Sequence, residues 1–198
     1  MGLLIKTEKI EVDVFEICKK VLDNLDEMGW ENVAGTSEGH LIFPKKKVKK
    51  EDVKRISEQE LRQLFIEEFK DSYKKTHNKL YYSIETPTKN KYKFGRTYND
   101  IIKNIGIYKT SALLDMCVFE KDCDEKKYKR ILNIEFKHGN APLKDIAKDV
   151  LKLMREKEKG AFIFLLDNTD SGSLNNGSTT SKGVLNKLSE SFFKFKGK

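Results

Sequence analysis

Two apolar stretches of this chain are each broken by charged residues, and that narrows the folds open to it. Ser111-Ala-Leu-Leu-Asp-Met-Cys-Val-Phe119 carries Asp115 inside an otherwise apolar run. Arg130-Ile-Leu-Asn-Ile-Glu-Phe-Lys-His138 carries Glu135 and Lys137 in the same way. Both runs have the length and residue types of buried strands. An isolated buried charge is costly, so an acid in such a strand needs a cation or a metal beside it. With the two-residue period of a strand, Leu132, Ile134 and Phe136 share one face, and Ile131, Asn133, Glu135 and Lys137 the other. One face is built for a core; the other offers a carboxylate and an ammonium side by side.

The rest of the chain gives these strands a setting. Apolar positions Val14, Ile17, Cys18, Val21, Leu22 and Leu25 predict a helix over residues 9–29. A short apolar run, Leu41-Ile-Phe43, stops at Pro44, and Lys45 to Lys50 is a basic run that reads as a solvated connector or a phosphate contact. Residues 1–55 are read as an N-terminal extension, packed or flexible. Ser57 and Glu60 form a capping box opening a helix whose stripe is Leu61, Leu64, Phe65 and Phe69. Residues 80–86 read as a strand closed by Pro87, and residues 88–110 as a connection. Its Lys89, Lys91, Lys93, Arg96 and Lys109, interleaved with Tyr92, Phe94 and Tyr98, suit nucleic-acid binding or coverage of a sheet edge. Strands over 111–119 and 130–137 follow, then a helix opened by Pro142, then a fully buried strand over 161–166. Residues 167–183 have the composition of a mobile loop, and 184–195 read as an amphipathic helix.

Composition limits the partners. Thirty-nine Lys and Arg against thirty-one Asp and Glu leave a net charge of +8, which suits a polyanion or simply solvated helix faces. Cys18, Cys117 and Cys123 form neither a CxxC pair nor a credible disulfide set, and no His/Cys cluster has zinc spacing. No stretch approaches the ~20 apolar residues of a membrane span, and the N-terminus lacks the apolar core of a secretion signal. A cytoplasmic protein without membrane contact is expected.

Glu-x-Lys alone is common in so lysine-rich a chain: Glu68-Phe-Lys70 and Glu125-Lys-Lys127 match it too, in a helix and a charged turn. Only Glu135-Phe136-Lys137 lies in an apolar strand preceded by a strand with a second acid. This pattern resembles the PD-(D/E)XK nuclease superfamily, over roughly residues 57–166. The resemblance implies a restriction-endonuclease-like α/β core, α-β-β-β-α-β, with a mixed sheet flanked by helices and an N-terminal helical extension. The nuclease-like domain would be 56–198, with its core at 57–166. The residue before Asp115 is Leu114 where many members have proline, a dispensable position.

The resemblance further implies a metal-dependent endonuclease acting on DNA, in prokaryotic defence, restriction or repair. Asp115, Glu135 and the Phe136 carbonyl would hold Mg2+, with Mn2+ able to substitute. Such an ion polarises a phosphodiester and lowers the pKa of water. Lys137 would hold the nucleophile and offset charge on phosphorus. Neighbouring carboxylates favour its charged form, which argues against a general base. Glu60 fits the family's helix-borne glutamate, and Glu85, Asp149 and Lys152 also fit compact members. By spacing alone, Asp149 and Lys152 read as a surface ion pair. A homodimer or a partner recognition subunit is compatible with double-strand cutting. The competing expectation is a catalytically inactive nucleic-acid-binding or protein-interaction module on the same fold.

Overall fold

The structure, a computed structural model, describes residues 11–36, 40–74, 80–122, 126–167, 169–176 and 182–196. The chain is an α/β protein in which a mixed four-stranded sheet lies between helices. Helix α1 (Val14–Glu27) starts at Asp13, whose side chain accepts from the Glu16 amide. The hairpin β1 (Lys45–Val48) and β2 (Glu51–Lys54) follows, and the basic run forms its first strand and its turn. Helix α2 (Glu58–Lys74) is opened by Ser57, whose amide donates to Glu60 Oε2 at 2.9 Å.

The sheet is built from β3 (Leu80–Tyr92), β4 (Thr110–Asp122), β5 (Lys127–His138) and β6 (Lys159–Leu165), in that spatial order. The first three pair antiparallel, β4 and β5 through a short connection and β3 and β4 through a longer one. Strand β6 lies parallel to β5, reached through helix α4 (Leu143–Arg155). A short helix α3 (Tyr98–Lys103), capped reciprocally by Thr97 and Asp100, interrupts the β3–β4 connection. Helices α5 (Ser171–Asn175) and α6 (Val184–Lys196) complete the chain.

Two apolar clusters cover the two faces of the sheet. Leu132, Ile134 and Phe136 of β5 and Met116 and Val118 of β4 pack on Leu61, Phe65 and Phe69 of α2 and on Ile17, Val21 and Leu25 of α1. Phe43, fully buried, joins the same cluster. The opposite face is covered by α4, α3 and α6, through Ile101, Ile146, Ala147, Val150 and Phe195. Residues 11–55, placed in an extension by the sequence, thus share one core with α2 and the sheet.

Several boundaries differ from the sequence reading. Helix α1 is shorter than residues 9–29. Strand β3 runs past Pro87, because at a sheet edge a proline forfeits no second ladder. The pairing slips between Pro87 and Lys91, and the amides of Lys89 and Asn90 donate instead to the Glu156 carboxylate at 2.9 and 3.0 Å. Strand β6 is half-buried rather than fully buried, since it forms the other edge. Within residues 167–183, expected to be a loop, Ser171–Asn175 is helical. Residues 168 and 177–181 lie outside the described residues, as do His77 and Cys123.

Candidate metal centre at the β4–β5 fork

The pairing of β4 with β5 ends at Met116–Ile134. One step further would bring Asp115 opposite Glu135. Instead the Asp115 carboxylate enters the ladder, and Oδ2 accepts the Phe136 amide at 2.8 Å. On its other side β5 stays bonded to β6, with Glu135 opposite Phe162 and Phe136 opposite Ile163. A fork therefore opens between β4 and β5, with Asp115, Glu135, the Phe136 peptide and Lys137 around it.

Helix α4 closes the fork from the face opposite α2. Glu135 is fully buried, and Lys152 Nζ stands 2.6 Å from its Oε1. Asp149, one helical turn earlier, is 2.8 Å from Lys152 through Oδ1 and 2.8 Å from Lys137 through Oδ2. Lys137 also donates to the Phe136 carbonyl at 3.0 Å and lies 3.3 Å from Glu58 of α2. Four carboxylates (Glu58, Asp115, Glu135 and Asp149) face two ammoniums. Side-chain exposure rises from 1% at Glu135 through 12% at Lys137 to 43% at Glu58, so the centre opens toward the start of α2.

These charges set one another's ionisation. Burial, reinforced by Asp149 and Asp115, pushes the Glu135 carboxyl up to about 9; the Lys152 ammonium only partly opposes the rise. Burial works against the Lys137 ammonium, yet Asp149, Glu58 and Asp115 hold its pKa above the ordinary lysine value. Lys152 is likewise raised, because Glu135 and Asp149 outweigh its burial. Both lysines are cations at neutral pH, and neither is equipped to take a proton.

The sequence-predicted residues divide in three. Asp115, Glu135, Phe136 and Lys137 converge at the fork. Glu60 does not join them: despite burial, hydrogen bonds from the Ser57 hydroxyl and amide, with Arg55 at 3.3 Å, hold its carboxyl below the ordinary value. Glu58, two residues earlier, is the glutamate of this helix that reaches Lys137. Asp149 and Lys152 are not a surface pair; they are 6% and 7% exposed because α4 is covered by the sheet, α3 and α6. Glu85, beside the fork on β3, turns out to solvent at a left-handed φ of 48° and pairs with Arg62 at 2.7 Å.

The basic connection is divided as well. Lys91, Lys93, Arg96 and Lys109 are exposed, while Lys89 is paired with Glu158. Lys91 stands opposite Ser111, roughly 13 Å along β4 from Asp115. Its aromatics are largely committed: Tyr92 is buried, Phe94 stacks on it at 5.3 Å, and Tyr98 packs against the α4 cluster. Tyr108 remains exposed.

Among the described residues, no three Asp, Glu, His or Cys side chains are grouped to hold a metal ion. The oxygens available at the fork are those of the Asp115 and Glu135 carboxyls and the Phe136 carbonyl, which accepts from Lys137. That is an all-oxygen set of the kind magnesium accepts while keeping several waters. Glu135 Oε2 is buried without a hydrogen bond, and the four carboxyl groups of the centre outnumber its two ammoniums, so a divalent cation that displaced the Glu135 proton would fit the centre in charge and in donor type. Comparison of the chain with family models, curated proteins and solved structures finds no match. No helix among the described residues is long and apolar enough to cross a membrane.

Proposed function

We propose that this chain is a metal-dependent nuclease of the PD-(D/E)XK type, with a restriction-endonuclease-like core, hydrolysing DNA phosphodiesters in prokaryotic defence, restriction or repair. The observation that carries the reading is the convergence of Asp115, Glu135, the Phe136 carbonyl and Lys137 at one fork where carboxyl groups outnumber ammoniums. The element order α2-β3-β4-β5-α4-β6, with α3 inserted, supports it. Asp115, Glu135 and the Phe136 carbonyl would hold Mg2+ or Mn2+, which when bound supplies Lewis acidity toward a phosphodiester and acidifies water. Lys137, kept cationic by Asp149 and Glu58, places a positive charge where the phosphorane charge develops. The exposed Lys91, Lys93, Arg96 and Lys109 supply backbone contacts to the polyanion.

One observation favours the second reading, an inactive nucleic-acid-binding or protein-interaction module. Lys152 and Lys137 already lie on Glu135 and on the Phe136 carbonyl, as they would in a centre that had given up its metal. Asp115→Asn separates the two. Wild-type protein is expected to bind Mn2+ in calorimetry and the variant to bind it at least tenfold more weakly, with cleavage falling in step. Wild type that binds DNA but no metal, with an unaltered variant, would leave the inactive module.

A further inference from the structure

All three N–H groups of the Lys152 ammonium have oxygens in reach. Nζ lies 2.6 Å from Glu135 Oε1, 2.8 Å from Asp149 Oδ1 and 2.8 Å from the Leu113 carbonyl. These oxygens come from β5, α4 and β4, so one ammonium ties together the elements that bound the fork. Two carboxylates and a carbonyl are also what a hard divalent cation takes. Here the cation is one the chain supplies.

The arrangement is asymmetric in a way that matters. Glu135 meets Lys152 at ion-pair distance through Oε1, and its Oε2 makes no hydrogen bond. Asp149 uses both oxygens, Oδ1 on Lys152 and Oδ2 on Lys137, each at 2.8 Å. If Lys152 left Glu135, it would keep Asp149 and the Leu113 carbonyl, and no ammonium would be stranded. If Lys152 were absent, Glu135 would be a fully buried carboxylate between two like charges.

We propose that Lys152 is a tethered counter-cation: it holds the buried Glu135 in place and competes with the divalent ion for that carboxylate. Asp149 is the positioning residue, which retains the ammonium when it moves off Glu135 and keeps Lys137 directed at the Phe136 carbonyl. The inference rests on the reading of the fork as a metal centre. It goes beyond that reading by assigning α4 a part in metal affinity that neither the Glu-x-Lys strand nor Asp115 has.

The test is Mn2+ binding to full-length wild type and Lys152→Met, by titration calorimetry and by the shift of the thermal transition with added Mn2+. Removal of a competing charge at contact distance is expected to tighten Mn2+ binding on the order of tenfold or more. The metal-induced rise in Tm should grow with it. Equal or weaker binding by a folded Lys152→Met, with wild type binding normally, would overturn the inference and leave the metal centre standing. Should Lys152→Met be unfolded in EDTA, Mn2+ is expected to restore its cooperative transition. Failure to do so at concentrations that saturate wild type would overturn it equally. No Mn2+ binding by wild type would remove the metal centre itself, and the inference with it.

Discussion

At the scale of single residues, Glu135 ties the stability of the protein to pH across the neutral range. Its folded-state carboxyl is raised from an unfolded value near 4.5 to about 9, so the folded chain holds that proton more tightly. Its contribution to stability is therefore full below the unfolded value, declines as pH rises through the window, and stays lost above about 9. The lowered carboxyls of Glu60, Asp100 and Glu158 act oppositely, and below that window: their contributions are lost as pH falls through their folded values. The raised lysines 137 and 152 matter only at the alkaline end, where theirs are lost as pH climbs through their folded values. Urea unfolding in EDTA is expected to show wild type losing at least about 1 kcal/mol between pH 5 and 8.5 relative to Glu135→Gln. Parallel profiles for the two proteins would show that Glu135 ionises normally. This residue was legible in the sequence because an acid in an apolar strand has few bland explanations. Glu58 was not, although a signal existed: the capping box occupies Glu60 and leaves Glu58 as the free carboxylate of the first turn. By spacing alone Asp149 and Lys152 read as a surface pair, because an i, i+3 spacing looks the same on a solvated helix and on one covered by α3, α6 and a sheet; only the resemblance sets them near the site.

At the scale of elements, the edge strand β3 shows why local rules fail where a distant residue supplies what they assume is missing. Pro87 breaks the regular ladder, and the next amides would be orphaned if Glu156, at the end of α4, did not accept from Lys89 and Asn90. The same carboxylate meets the Tyr92 hydroxyl at 3.2 Å and Arg130 at 3.5 Å, and its side chain is fully buried. Glu156→Ala is expected to destabilise the protein by about 3 kcal/mol, since it leaves buried donors and a guanidinium without their acceptor. A loss under about 1 kcal/mol by chemical denaturation would mean that β3 does not depend on this tie. Nothing in residues 80–92 announces a partner sixty-six positions later in the chain, so the sequence alone predicts a strand that ends at proline. Strands β4 and β5, whose signal is internal, were placed to within a few residues.

At the scale of the molecule, two apolar clusters sandwich the sheet, and the N-terminal segment belongs to one of them. Ile17, Val21, Leu25, Met28 and Phe43 are buried with the α2 stripe and with β4 and β5. A chain beginning at residue 56 would expose that face. It is expected to lose its cooperative thermal transition and to bind hydrophobic dyes. A truncated chain that melts as sharply as the full one would show instead that the extension is dispensable. The sequence suggested an appendage because its composition turns basic and polar between Pro44 and Lys54, whereas the buried positions that bind it to the rest are few and scattered. The order of helices and strands was readable from the residues, and the resemblance implied a mixed sheet flanked by helices; whether the extension packs into the same core was left open.

The central claim is that the fork between β4 and β5 cuts DNA with a divalent metal. Its most direct test is incubation of the purified chain with supercoiled, linear and single-stranded DNA in Mg2+, Mn2+ or EDTA, beside Lys137→Ala. Wild type is expected to cleave at least one substrate with metal and none in EDTA, and Lys137→Ala to be slower by about 10²-fold or more. Cleavage that survives EDTA or the loss of Lys137, or no cleavage of any substrate, would contradict the account.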